Sequence, residues 1–343
     1  MDGHIQYGAI VTKIRGMSAK LLKPDDYKKL SVMKSIAQII EYLNTQTHYQ
    51  GVFSGIKAET VNRDKLEQIL NTTLYSDYLK VRHYLLKEDK AFIEAFMRKY
   101  EINIIKNMVR QVMSGNEARL DFETEDFFEA SSFRKTKIES VKSMEQVIHA
   151  MEDTPYYEVI TSLYSREKDP TLFDIEISLD MSYFSNLWKE KEKASKENKK
   201  IITECIGAEA DLHNILWIYR SKKYFKVDTS YVYSYLIPVH YKLTTDMIQR
   251  LAVTENADDM SKVLEGTVYA GALDNDAQMF ERAMIDFVLK DMLRSVRKGG
   301  LNISAVLWYL HAKELELGNI CSIAEGVRYS LSSAEILRYV FMR

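Results

Sequence analysis

Three carboxylates, Glu101, Asp211 and Glu316, each head the same short pattern. It runs acid, aliphatic residue, any residue, usually Asn, then Ile, with a further Ile or Met three places on. The fullest copy is Lys313-Glu314-Leu315-Glu316-Leu317-Gly318-Asn319-Ile320-Cys321-Ser322-Ile323; the others are Asp211-Leu212-His213-Asn214-Ile215 with Ile218 and Glu101-Ile102-Asn103-Ile104-Ile105 with Met108. Helical neighbours three, four and seven positions on share the acid's face, so each carboxylate borders an apolar stripe. A carboxylate there is costly to bury unless something donates to it. Two roles follow. Each acid accepts a hydrogen bond from a neighbouring helix of its own unit, or the three line a surface that meets a partner. Glu101, Arg110, Asp211, Asn214, Arg220, Glu316 and Asn319 are the candidate residues on either reading. Catalysis by paired carboxylates does not follow, because equivalent positions in three domains need not approach one another.

Other chemistry lacks its constellation. There is no GxxxxGK[ST] phosphate loop; Gly266 and Gly271 have the glycine spacing, but Ala272-Leu273 follows and supplies no Lys. Neither GxGxxG nor GxSxG occurs. The seven histidines form no HxH or HExxH pair, so a zinc site has no local signature. No catalytic residue, metal or cofactor is expected.

The acids belong to a longer repeat. An apolar residue then Glu, with Leu or Met three further on, stands at Leu66-Glu67, Ile175-Glu176 and Phe280-Glu281. Two apolar pairs follow each Glu, as in Leu74-Tyr75 and Tyr78-Leu79. A Thr-x-Tyr precedes it, at Thr47 to Tyr49, Thr154 to Tyr156 and Thr267 to Tyr269. Three landmarks in one order, three times, predict three related units over residues 1–120, 121–230 and 231–343, each near the usual size of a folding unit.

Thirteen Gly and four Pro in 343 residues are few against averages of roughly 24 and 17 at this length. That scarcity favours long helices over hairpins. A net charge of −2 gives no bulk attraction to nucleic acid or anionic lipid. Lys189 to Lys200 is locally basic, but its interleaved Glu residues read as a solvated helix face rather than a partner patch. Cys205 and Cys321 lie far apart without a CxxC, which suits a reducing compartment. No secretion signal and no run of about 18 apolar residues is found, so work at a membrane would proceed through docking to another protein.

Along the chain, apolar spacing predicts a helix through Ile10, Ile14, Met17 and Leu21 broken at Pro24, and a second from Val32 to Leu43. Thr60 or Asn62 can cap the helix of Glu67, and a long helix from about Asp89 to Met113 ends at Gly115. Ser143-x-x-Gln146 has the capping-box pattern, and Thr171 caps the helix of Glu176. Asn275 or Asp276 can cap the helix of Glu281, Gly299-Gly300 reads as a turn, and Gly326 is expected to end the helix of Glu316. Tyr231 to Tyr241 has strand composition, though Pro238 argues against a central strand.

The stretch Tyr7 to Leu22, the Thr-x-Tyr sites and above all Lys313-Glu314-x-Glu316-x-x-Asn319-Ile320 with Gly326 resemble the C-subunit family of V-type and A-type ATPases, whose eukaryotic member is called the d subunit. The likeness spans essentially the whole chain. It departs at Ile104, where the other copies have Asn, and at Glu325, where they have Arg110 and Arg220. The resemblance implies an all-α subunit of three similar helical domains arranged as a pseudo-three-fold funnel. It implies a non-catalytic part of the central rotor, one copy per complex, at the cytoplasmic face of the membrane. Its partners would be the proteolipid rotor ring and central-shaft subunits of D/F type, so that it couples ATP-linked rotation to H+ or Na+ transport. The contrasting reading is a helical adaptor or scaffold unrelated to a rotary ATPase.

Overall fold

The computed structural model describes residues 2–119, 128–129, 131–133, 140–167, 169–225, 229–270, 290, 292 and 302–341. The fold is all-α, as the few Gly and Pro require. The expected cap of the Glu281 helix, the Gly299-Gly300 turn and the Phe280-Glu281 landmark lie outside the described residues.

Helix α1 spans Asp2–Ser18 and buries Ile10 and Ile14. It stops at Ser18, short of Leu21 and of the expected break at Pro24. Pro24 instead opens α2 (Pro24–Ser31), since the N–H at the first helical position makes no intrahelical hydrogen bond that proline could forfeit. The helix expected from Val32 to Leu43 is therefore two: Val32 closes α2, and Ser35 caps α3 (Ile36–Gln46) by accepting from the Gln38 N–H. Gly51 and Gly55 then take positive φ angles of 87° and 77°, giving the expected loop. Asn62 caps α4 (Arg63–Arg82). The longest helix among the described residues, α5 (Lys87–Met113), closes at Ser114, with Gly115 in the left-handed region.

The only strands among the described residues are two-residue segments, β1 (Ala118–Arg119) and β2 (Ser140–Val141), paired antiparallel. Ser143 caps α6 (Met144–Met151), and α7 (Tyr157–Arg166) follows. Thr171 and Asp174 form a capping box on α8 (Leu172–Glu190). The basic run is not one continuous helix. It passes through a short 3₁₀ turn, and extended backbone at Ala194 and Ser195 lets Ser195 cap α9 (Lys196–Arg220). Lys191 is buried there, 4.0 Å from the Trp188 ring centre. The Tyr-rich stretch starts as α10 (Thr229–Ser234), not strand, in keeping with the Pro238 that follows. Next come α11 (Thr245–Val253), α12 (Ala257–Leu264), α13 (Ser304–Arg328) and α14 (Ser333–Arg338).

Gly326 lies inside α13 instead of ending it. A Cβ at Gly326 would stand 2.6 Å from Ile336 Cγ1, so the glycine admits α14 against α13. Among the described residues, no helix is long and apolar enough to cross a membrane.

By contact the chain forms two compact units. The first comprises residues 1–85, 120–130 and 305–343 and is built from the chain's early helices together with α13 and α14. The second comprises residues 86–119 and 131–304. In the first, α2 meets α14 through a 2.6 Å contact between the Ser31 and Ser333 hydroxyls. In the second, α5 packs on α8: Phe92 and Phe96 are buried, Tyr183 donates to the Phe96 carbonyl, and Lys106 pairs with Asp180 at 2.6 Å.

Candidate functional site

All three repeated acids are buried, at 4%, 0% and 0% exposure for Glu101, Asp211 and Glu316. Burial of a carboxylate demands donors, and each acid finds the same kind. One is a backbone N–H from a passing segment. Another is the tyrosine hydroxyl of a Thr-x-Tyr.

Within the second unit, Glu101 accepts from Tyr156 Oη at 2.9 Å, from the Ser132 N–H at 3.2 Å, and from the Ser132 hydroxyl. Asp211 accepts from Tyr269 Oη at 2.6 Å and from three successive backbone N–H groups, Tyr241 at 3.0 Å, Lys242 at 2.6 Å and Leu243 at 2.8 Å. Gly207, one turn earlier on α9, makes that approach possible, since a Cβ there would lie 2.6 Å from Tyr241 Cβ. In the first unit, Glu316 accepts from Tyr49 Oη at 2.8 Å and from the Leu22 N–H.

The tyrosines are themselves held. In each Thr-x-Tyr the threonine hydroxyl donates to a carbonyl three or four residues back, and its oxygen accepts from the tyrosine N–H, at 3.2 Å for Tyr49, 3.3 Å for Tyr156 and 3.1 Å for Tyr269. The motif is a small turn that aims a phenol at a carboxylate.

The links run from copy to copy. The acid of the first copy takes the tyrosine of the second, the acid of the second takes that of the third, and the acid of the third takes Tyr49 of the first. A partner within the acid's own repeat unit, as the spacing alone suggests, is therefore not what the fold supplies. Each clasp joins the long helix of one copy to the Thr-x-Tyr of the next.

The third clasp differs chemically. Lys313, 1% exposed, donates to Glu316 Oε1 at 2.9 Å and to Tyr49 Oη at 2.8 Å, and its Nζ lies 2.9 Å from His48 Nε2. Burial alone would raise the Glu316 carboxyl, but Lys313 and the His48 hydrogen bond overcome it and hold the group at about 2. At Glu101 burial prevails over the Ser132 and Tyr156 hydrogen bonds, and the carboxyl is raised. Tyr49 and Tyr269 are pushed well above the usual phenol value by burial and by the carboxylate each faces.

These shifts set the acid response. A carboxyl held at about 2 when folded, against an ordinary 4.5, contributes stability that is fully present above about pH 4.5 and lost as pH falls toward 2. Glu101, raised instead, stabilises least once pH exceeds its folded value. Glu316→Gln is therefore expected to flatten the loss of stability between pH 4.5 and 2. Urea midpoints measured across that range check this, and an acid limb as steep as that of the parent would refute it.

Asn214 and Asn319 form a second set of contacts. Each side chain clamps one backbone residue with two hydrogen bonds: Asn214 donates to the Ile237 carbonyl at 3.1 Å and accepts from its N–H at 2.8 Å, and Asn319 does the same with Phe341 at 2.9 and 2.8 Å. Ile104 cannot make such a clamp, and the chain 22 to 23 positions beyond it lies outside the described residues.

Arg110, half exposed, pairs with Glu176 at 2.6 Å, the landmark glutamate of the next copy. Glu325 stands at the corresponding place in the third copy, and Arg63 bridges the two acids there, 2.6 Å from Glu67 and 4.0 Å from Glu325. The positive charge has moved to the other helix. Arg220 is half-buried, and its matching glutamate, Glu281, lies outside the described residues.

Among the described residues, no group of three His, Cys, Asp or Glu could hold a metal ion. The buried carboxylates are occupied by internal donors, so the arrangement defines an all-helical protein whose repeated polar residues fasten helices together. The chain belongs to the ATP synthase (C/AC39) subunit family, whose model matches residues 10–339. The A-type ATP synthase C subunit of Archaeoglobus fulgidus is 26% identical over 334 residues, covering 96% of this chain and 94% of the relative. That of Methanosarcina acetivorans is 22% identical over 340 residues, covering 97% and 92%. That of Thermococcus gammatolerans is 25% identical over 325 residues, covering 91% and 84%. Membership makes the chain a non-catalytic subunit of a rotary ATPase.

Proposed function

We propose that the chain is the socket of the central rotor in a V-type or A-type ATPase. It receives the tip of a D/F-type shaft and seats on the proteolipid ring at the cytoplasmic face, in one copy, so that shaft rotation is coupled to H+ or Na+ transport. The match over residues 10–339 carries this reading. Three related helical units, 1–120, 121–230 and 231–343, would form a pseudo-three-fold funnel about the shaft.

The clasps support the proposal mechanically. A coupler must pass torque without yielding, and close-packed interiors transmit strain. Each acid–tyrosine link ties one copy to the next, and the third link returns to the first. These links are buried, where a hydrogen bond is strong and costly to break. Attachment through protein contacts suits a chain whose described helices cannot span a bilayer.

Affinity purification of the tagged protein from gently solubilised membranes, followed by intact-complex mass spectrometry, tests the assignment. A single copy recovered with proteolipid ring and shaft subunits is expected. Recovery of the chain alone, from membranes where the ATPase stays intact, would overturn it.

A further inference from the structure

We propose that a hollow within the first compact unit binds a phosphorylated sugar, the class that includes nucleotides. The cavity measures about 780 Å³, within the usual range of small-molecule sites. It is walled by one face each of α1, α4 and α13 and by the loop around Thr47 to Val52.

Its charge is lopsided. Four lysines line it, Lys13, Lys20, Lys80 and Lys313, against one carboxylate, Asp77. Asp77 is already engaged by Lys80 at 2.9 Å and by the Tyr309 hydroxyl, and Lys313 is held by Glu316. Lys13, on α1, and Lys20, in the turn that follows the helix, have no carboxylate partner among the described residues. Two unmatched ammonium groups at one cavity attract a multiply charged anion, and a concave wall of low dielectric strengthens that attraction.

The opposite wall sets the rest of the ligand. The Thr72 and Thr73 hydroxyls donate to the Ile69 and Leu70 carbonyls, each at 2.6 Å. Their protons are committed, so toward the cavity they offer lone pairs. Acceptors of that kind suit the hydroxyl groups of a sugar and gain nothing from a bare phosphate. Phosphate on Lys13 and Lys20 and sugar hydroxyls on the α4 threonines together use both walls.

Titration calorimetry on the full chain at low salt tests this, with ribose 5-phosphate, ADP and pyrophosphate as probes. Saturable binding of ribose 5-phosphate and ADP at one site per chain is expected. The Lys13→Ala/Lys20→Ala variant should weaken both at least tenfold, and Thr72→Val/Thr73→Val should weaken them several-fold while leaving pyrophosphate unchanged. Lys20 is exposed, so Lys20→Gln alone supplies a variant whose fold is not at risk, and it should weaken binding several-fold. No saturable binding, binding by the lysine variants equal to that of the parent, or pyrophosphate binding as tightly as ADP would each overturn the proposal.

Discussion

Glu316→Ala is expected to destabilise the protein by about 3–5 kcal/mol, the range for removing one partner of a buried ion pair. The loss comes mainly from what remains. Lys313 is 1% exposed and would keep a charge with no carboxylate to answer it. The Tyr49 hydroxyl and Leu22 N–H would lose their acceptor as well. Melting temperature should fall by on the order of 10 °C. A double variant, Lys313→Met with Glu316→Leu, is expected to be more stable than Glu316→Ala, because apolar groups of similar volume remove the uncompensated charge. Thermal melts of the three proteins settle the point, and a double variant weaker than the single one would refute it.

Asp211→Ala carries the second large effect. Asp211 gathers four donors, and three of them are consecutive backbone N–H groups that mutation cannot delete. The Leu243 N–H is buried and would be left without a partner. An unsatisfied buried donor costs about 1–3 kcal/mol, so several together should bring the loss to about 3–5 kcal/mol. Tyr269→Phe removes only one of the four and should cost about 1 kcal/mol. Denaturant midpoints for the two variants give the ratio directly, and equal losses would mean that the phenol, not the backbone clasp, carries the contact.

Much of this is legible in the residues. Apolar spacing places α1, Gly115 marks the end of α5, and Asn62, Ser143 and Thr171 cap helices as their types require. The acids and asparagines stand out through repetition. Their partners do not, for a physical reason: Glu316 meets Tyr49 across 267 residues and Leu22 across 294, and a period in sequence says which residues are equivalent, not which of them touch. Lys313 reads as part of a motif with no role of its own, since lysine is rarely buried. Only the packing of α13 against the Tyr49 turn encloses it. Gly326 reads as a helix end because a glycine that admits a neighbouring helix and one that terminates its own look alike until that neighbour, here Ile336, is known.

Coupling is the central claim, and reconstitution measures it most directly. An ATPase assembled in proteoliposomes without this protein should still hydrolyse ATP but build no ion gradient, and adding the purified chain should restore the gradient. Ion transport that proceeds equally well without the chain would contradict the socket role.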